Sequence, residues 1–242
     1  MKFCLAQTKS IKGDVSSNIK NHIKWIHSAI ENQADLIYFP ELSLTGYEPE
    51  LGESLATNKE DSRLDEFQSL SDQHNIVIGV GAPIKEVGKT GIGMIIFSSY
   101  QDRQVYLKQY LHEDELPYFT AGKKQLGFNI KQEIIAPAIC YEALQEDHIK
   151  VAKSIGATIY MASVAKDEKG IRKAYAHFPQ MAIKYQLPIF MSNCVGYCDN
   201  FLSSGQSAVW DEKGHLAGKL SASQEGILLY DMRSGTSIKP LG

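Results

Sequence analysis

Short apolar runs alternate along the chain with longer amphipathic stretches of helical period. Ile19, Ile23, Ile26 and Ile30 recur three and four residues apart, which predicts a helix over 16–32 with Asp14 or Ser16 as its cap. Compact apolar runs at 3–6 and 36–39 predict buried strands on either side, and Pro40 ends the second because it has no N–H for a sheet ladder. A helix over 64–74 and a strand over 76–82 follow, with Pro83 expected to end that strand. Runs at 94–97 and 104–107 flank a turn-like segment and predict a hairpin; 128–130 and 133–139 predict another. The alternation then resumes with helix 145–155, strand 157–162, helix 171–186 and strand 189–193. It closes on strands 206–210 and 227–231, with a turn at 211–214 after the first. Helices interleaved with hairpins predict mixed sheets, each covered on one face. Two such sheets packed on their bare faces give an α/β fold of four layers, an α-β-β-α sandwich.

Composition narrows the class. No composition shift, repeat or low-complexity tract divides residues 1–242, which predicts one domain. An apolar fraction of 43% supports a large core, and a net charge of −3 with arginine only at 63, 103, 172 and 233 disfavours nucleic acid. The chain opens with no secretory pattern and holds no apolar stretch of membrane-spanning length, so a cytoplasmic location without membrane contact is expected. Cys4, Cys140, Cys194 and Cys198 form no C-x-x-C framework, which suits free thiols. Cys4 reads as core filler. Cys194 and Cys198 could meet each other or a metal, but two sulfurs without nearby histidines make a poor site, so no metal and no cofactor is expected. Gly88-Lys89-Thr90 mimics the end of a phosphate loop, yet position 83 is proline where glycine is required.

Three reactive side chains follow predicted strands. Glu41 comes just after 36–39, Lys108 after 104–107 and Cys140 after 133–139. A carboxylate set past a buried strand is poorly solvated and so a stronger base. A thiol at a strand-to-helix elbow faces backbone N–H groups and a helix dipole, which favours thiolate. Each residue alone has a plainer reading: a cap, a surface lysine, a buried cysteine. Together they supply base, cation and nucleophile for attack on a carbon–nitrogen bond.

These segments, in order, resemble the nitrilase superfamily of carbon–nitrogen hydrolases. The likeness runs through Phe39-Pro40-Glu41-Leu42 with Thr45-Gly46-Tyr47, Tyr106-Leu107-Lys108, Glu115 to Gly122, Ile139-Cys140-Tyr141-Glu142, Ser192-Asn193 with Gly196, and Gly205-Gln206-Ser207. The resemblance implies a Glu41, Lys108, Cys140 triad with Glu115 as a second glutamate beside the lysine, on the four-layer sandwich, paired into homodimers. It also implies a small-molecule amide substrate, attack by Cys140, and an oxyanion held by Lys108 and the Tyr141 N–H. Tyr47, His112 and Ser163 are the expected substrate contacts, and loop residues Glu113, Lys166 and Tyr197 could also face the pocket or lie on the surface. The chain departs from the family at 143–148, which lacks the usual arginine and Pro-Glu pair, and at Met161-Ala162-Ser163-Val164, where Asn-Pro is common. Nitrile hydrolysis, carbamoyl-amine hydrolysis and a non-catalytic binding role stay open alternatives. A synthetase-coupled glutaminase is not expected, for want of a following domain, nor is a lipoprotein acyl transferase, for want of membrane spans.

Overall fold

The computed structural model describes residues 1–241, with side chains through residue 235. β1 (Lys2–Gln7) leads through α1 (Val15–Glu31) to β2 (Leu36–Tyr38), and β2 through α2 (Asp65–His74) to β3 (Val77–Glu86). These three strands are parallel neighbours. β4 (Lys89–Phe97) and β5 (Gln104–Leu107) extend the sheet as an antiparallel meander. The second sheet starts with the hairpin of β6 (Phe128–Ile130) and β7 (Glu133–Ile139), then runs parallel through α3 (Glu146–Ser154), β8 (Ile159–Val164), α4 (Glu168–Tyr185) and β9 (Ile189–Asn193). β10 (Val195–Cys198) and β11 (Phe201–Ser204) pair only with each other. β12 (Ala208–Trp210) and β13 (Leu216–Lys219) complete the second sheet, and β14 (Gly226–Asp231) and β15 (Thr236–Leu241) return to the first. The orders are β15-β14-β1-β2-β3-β4-β5 and β13-β12-β9-β8-β7-β6.

The expected four layers follow from the two-residue period of the strands. Phe3 and Leu5 of β1 point into a core shared with Ile159, Met161 and Phe190 of the second sheet. Cys4 and Ala6 point the other way, onto Trp25 and Ile26 of α1. In β8 the same alternation sends Tyr160, Ala162 and Val164 toward Ile149 of α3 and Phe178 of α4. Each sheet thus has one face on its helices and the other on its twin.

Two local expectations change. The buried stripe of α1 is Asn18, His22, Trp25, Ile26 and Ala29, while Ile19, Ile23 and Ile30 are only partly buried. Counting apolar residues misplaced the stripe because Asn18 goes inside, bonding both to Ile11 and to the Leu44 carbonyl. Asp14 is the cap, accepting from the Ser17 N–H. Pro83 does not end β3, which continues to Glu86 opposite β4. The Pro83 carbonyl accepts from Thr57 N–H and Lys85 N–H donates back to Thr57, so this edge of residue 83 faces away from β4. The missing N–H therefore falls outside the β3–β4 ladder. Gly88-Lys89-Thr90 belongs to the turn and first residues of that hairpin.

One glycine matters to the site. A Cβ on Gly81 would lie 2.3 Å from the Pro40 carbonyl oxygen and 2.6 Å from the Leu42 nitrogen. Only a residue without a side chain lets β3 pass this close behind the turn that carries Glu41.

Candidate active site

Three strand ends converge. Glu41 follows β2, whose exit is pinned by Phe39 N–H on the Gly79 carbonyl. Lys108 follows β5, its own N–H on Ile92 and its carbonyl accepting from Gly122. Cys140 follows β7 with its N–H on the Ser163 carbonyl, and its φ of +48° bends the chain sharply out of the strand. A left-handed cysteine is a strained conformation costing on the order of 1–3 kcal/mol, of the kind found where a side chain must be presented.

Lys108 sits at the centre, with Nζ 2.8 Å from Glu41 Oε1 and 2.5 Å from Glu115 Oε1. Lys108 is fully buried, and Glu41 and Glu115 are 2% and 1% exposed. Glu115 also accepts from the Tyr47 hydroxyl at 3.0 Å and from the His112 N–H at 2.8 Å. Glu41 Oε2 has no hydrogen-bond partner among the described residues. An ammonium carries three protons; two are committed to carboxylates and one is free. Burial pushes the Glu41 carboxyl above its ordinary range, with Lys108 pulling back and Glu115 adding to the rise. Burial acts to lower the Lys108 ammonium, but the combined pull of Glu41, the Cys140 sulfur and Glu115 outweighs it and raises the lysine. The lysine therefore stays charged and the glutamate is the stronger base.

The Cys140 thiol opens onto a cleft of about 650 Å³. Tyr47, His112, Glu115, Tyr141, Ala165, Lys166 and Phe201 line it, with residues of the first turns of α4 on the outer wall. Glu41 and Lys108 stand behind this lining rather than in it. The thiol contacts the Ala165 carbonyl at 3.7 Å and receives Lys166 Nζ at 3.4 Å. Its pKa is pushed up to about 11 by burial and by the Glu41 charge, against the pull of Lys166 and Lys108. The expected resting thiolate is thus corrected. The elbow leads only into a three-residue turn, Glu142–Leu144, and α3 begins at Glu146, so no long helix dipole reaches the sulfur. The Tyr141 N–H, next to Cys140, donates to no backbone carbonyl among the described residues.

The other expected contacts divide. Tyr47 and His112 line the cleft, and the His112 ring meets Tyr141 edge-on at 5.4 Å. Ser163 is fully buried and donates to the Phe39 carbonyl at 2.9 Å, so it ties the two sheets together and does not line the cleft. Glu113 is exposed outside the cleft and Tyr197 is 81% exposed. No group of three or more metal-ligating side chains occurs among the described residues, and Cys194 and Cys198 lie 3.5 Å apart as free thiols. No helix among them is long and apolar enough to cross a membrane.

Sequence reasoning missed the support behind Cys140. Glu142 is fully buried and accepts from the Ile139 N–H and Tyr106 hydroxyl on one oxygen and from the Gln109 and Tyr110 N–H groups on the other. It therefore fastens the Cys140 turn to the residues following Lys108. Burial raises its carboxyl to about 7, with those donors pulling down. Against an unfolded value of about 4.3, the native state binds the extra proton, so this group's contribution to stability is full at low pH and declines from about pH 4.5 to about pH 7. Glu142→Ala, which leaves the Ile139, Gln109 and Tyr110 N–H groups unpaired while the Tyr106 hydroxyl keeps His148, is expected to cost about 3 kcal/mol. Urea unfolding at pH 5 and pH 8 should show the gap to wild type narrowing as pH rises; a gap independent of pH would reject the assignment.

The geometry sets a thiol on the cleft with a lysine and two carboxylates buried behind it. The sequence pattern of the family described as carbon-nitrogen hydrolase matches residues 4–238, and the chain belongs to that family. Among solved structures it is similar to an amidase from Nesterenkonia sp. AN1, with a TM-score of 0.87 at 20% identity over 96% of this chain and 92% of that one. A cysteine-to-alanine mutant of the same amidase in complex with butyramide gives a TM-score of 0.86 at 19% identity, covering 97% and 92%. Among curated proteins it is 24% identical to the glutamine-dependent NAD(+) synthetases of Aquifex aeolicus and Thermotoga maritima, covering 97% and 96% of this chain. The chain spans only 43% and 42% of their lengths.

Proposed function

We propose that this chain hydrolyses a linear amide of a small molecule through a thioester on Cys140, releasing ammonia or an amine. The observation that carries the reading is the Glu41 carboxylate, buried against Lys108 with Oε2 unpartnered among the described residues and its basicity raised. A thiol near 11 needs such a base. Glu41 takes the Cys140 proton as Sγ attacks the carbonyl carbon. The oxyanion forms against the free proton of Lys108 Nζ and the Tyr141 N–H, donors each worth on the order of 2.7–4 kcal/mol when preorganised. The C–N bond breaks as Glu41 returns the proton to the leaving nitrogen. Water deprotonated by Glu41 then attacks the thioester, the C–S bond breaks, and the carboxylic acid leaves with the thiol restored. Glu115 holds Lys108, and Tyr47 and His112 hold Glu115. The amidase likeness supports an amide over a nitrile or a carbamoyl amine.

The synthetase relatives favour a second substrate within this reading, the side-chain amide of glutamine. Pairing into homodimers and a cytoplasmic location belong to the same reading and draw on family resemblance. Ammonia release over a panel of aliphatic amides, ω-amides including glutamine, carbamoyl amines and nitriles should show amides turned over at least about tenfold faster than the other classes. Faster nitrile turnover, or none with any amide, rejects the proposal.

A further inference from the structure

Lys166 is the one cleft lysine that is buried, at 7% exposure, and no carboxylate lies within ion-pair distance of it among the described residues. Among the described residues, its polar side-chain contact is the Cys140 sulfur at 3.4 Å. The Glu41 charge behind the lining reaches Lys166 only through space, and a buried ammonium with no directly paired anion is costly, so the site leaves room for a negative group on the cleft side. The acids lining the cleft are already engaged. Asp114 pairs with His112, Glu115 with Lys108, and Asp167 caps α4 by accepting from the Gly170 N–H. Further out, Lys173 lines the same wall, and among the described residues it has no carboxylate partner and the buried His177 Nε2 has no hydrogen-bond partner. Positions 173 and 177 lie one turn apart on the side of α4 that borders the cleft, and Lys166 stands just before the Asp167 cap of that helix. Burial lowers the His177 pKa, so its ring is neutral near pH 7 and can offer Nε2–H as a donor.

Resting on the amide reading above, we propose that the substrate's acyl chain carries a carboxylate, bound by Lys166 with Lys173 and His177 beyond it: the substrate is a monoamide of a short dicarboxylic acid. A carboxylate about two or three carbons from the reacting carbonyl stays within ion-pair reach of an ammonium this close to the sulfur. The pair forms in a partly dry cleft, where a cation discriminates between charged and neutral chains of equal length far better than in water.

The test compares succinamate with butyramide, near-isosteres that differ in the anionic end. Wild-type kcat/KM should favour succinamate at least about tenfold, and Lys166→Met should shrink that ratio at least about tenfold. If Lys166 serves only the thiolate, both amides fall together and the ratio holds, which overturns the proposal. Lys173→Gln, at an exposed position, should reduce the ratio by a smaller factor and gives a second reading should Lys166→Met fold poorly. Calorimetry on the Cys140→Ala protein separates this proposal from the reaction itself. Succinamate binding with butyramide silent supports it even if neither amide is turned over. Equal binding refutes it even if both are cleaved.

Discussion

Cys140→Ala should abolish ammonia release from every amide the wild-type protein cleaves, lowering kcat by about 10⁴-fold or more, while the fold stays intact. The size follows from the loss of the bond-forming atom: when nucleophile and base act as a unit, removing either forfeits nearly the whole chemical contribution. The stability claim follows from geometry. Cys140 occupies a left-handed backbone position that alanine shares at the same Cβ, so the strain is unchanged. The sulfur is partly exposed, and its polar contacts are the long ones to Ala165 and Lys166. Melting temperature within a few degrees of wild type, together with lost turnover, is the expected pair of results. Activity within about tenfold of wild type would remove Cys140 from the chemistry. Alkylation offers an independent check: iodoacetamide should label Cys140 increasingly as pH rises toward 11, and leave Cys4, fully buried in the first sheet, untouched.

The three converging side chains were legible because each follows an apolar run whose end is marked, by Pro40 after β2, by polar residues after β5, and by the break from Ile139 after β7. Lys166 was named only as a loop residue that could face the pocket, as it does, because the strand before it was placed at 157–162. β8 instead runs to Val164, so Lys166 lies two residues past a strand end, and the other site residues lie one to three past theirs. That shift also misdirected Ser163. Its neighbours Ala162 and Val164 face α4, and period two turns Ser163 onto the opposite sheet, where its hydroxyl meets the Phe39 carbonyl. The β10–β11 hairpin gave no strand signal, since its residues are short, mixed and partly exposed and it joins neither sheet. It is anchored instead by polar contacts: Ser204 N–H and the Ser203 hydroxyl both donate to the Lys166 carbonyl. Glu142 carried no sequence signal beyond its place two residues after the cysteine. Its role depends on donors from residues 106, 109 and 110, over thirty positions away. The layers, by contrast, needed only the alternation within β1 and β8, which is local.

Lys108→Met should damage stability and rate together. Methionine fits the volume, but Glu41 and Glu115 then face each other with no cation between them, and both are almost wholly buried. Breaking a buried ion pair from one side costs about 3–5 kcal/mol, because the remaining charge is left without compensation. For a chain of this size that corresponds to a melting temperature lower by about 10 °C. The pH dependence carries the diagnosis. Burial and Glu115 already raise the Glu41 carboxyl, and the lysine is its principal opposing influence. Without it the native carboxyl moves higher still above its unfolded value near 4.3, so the native state binds more protons than the unfolded chain. Stability then falls as pH rises through that interval, and the variant recovers toward wild type in acid. Turnover should fall by about 10²-fold or more at every pH, since one oxyanion donor is gone. Acid recovery of the fold without recovery of activity separates the two roles of the lysine. A stability loss of equal size from pH 5 to pH 8 would mean that Lys108 does not hold these carboxylates apart.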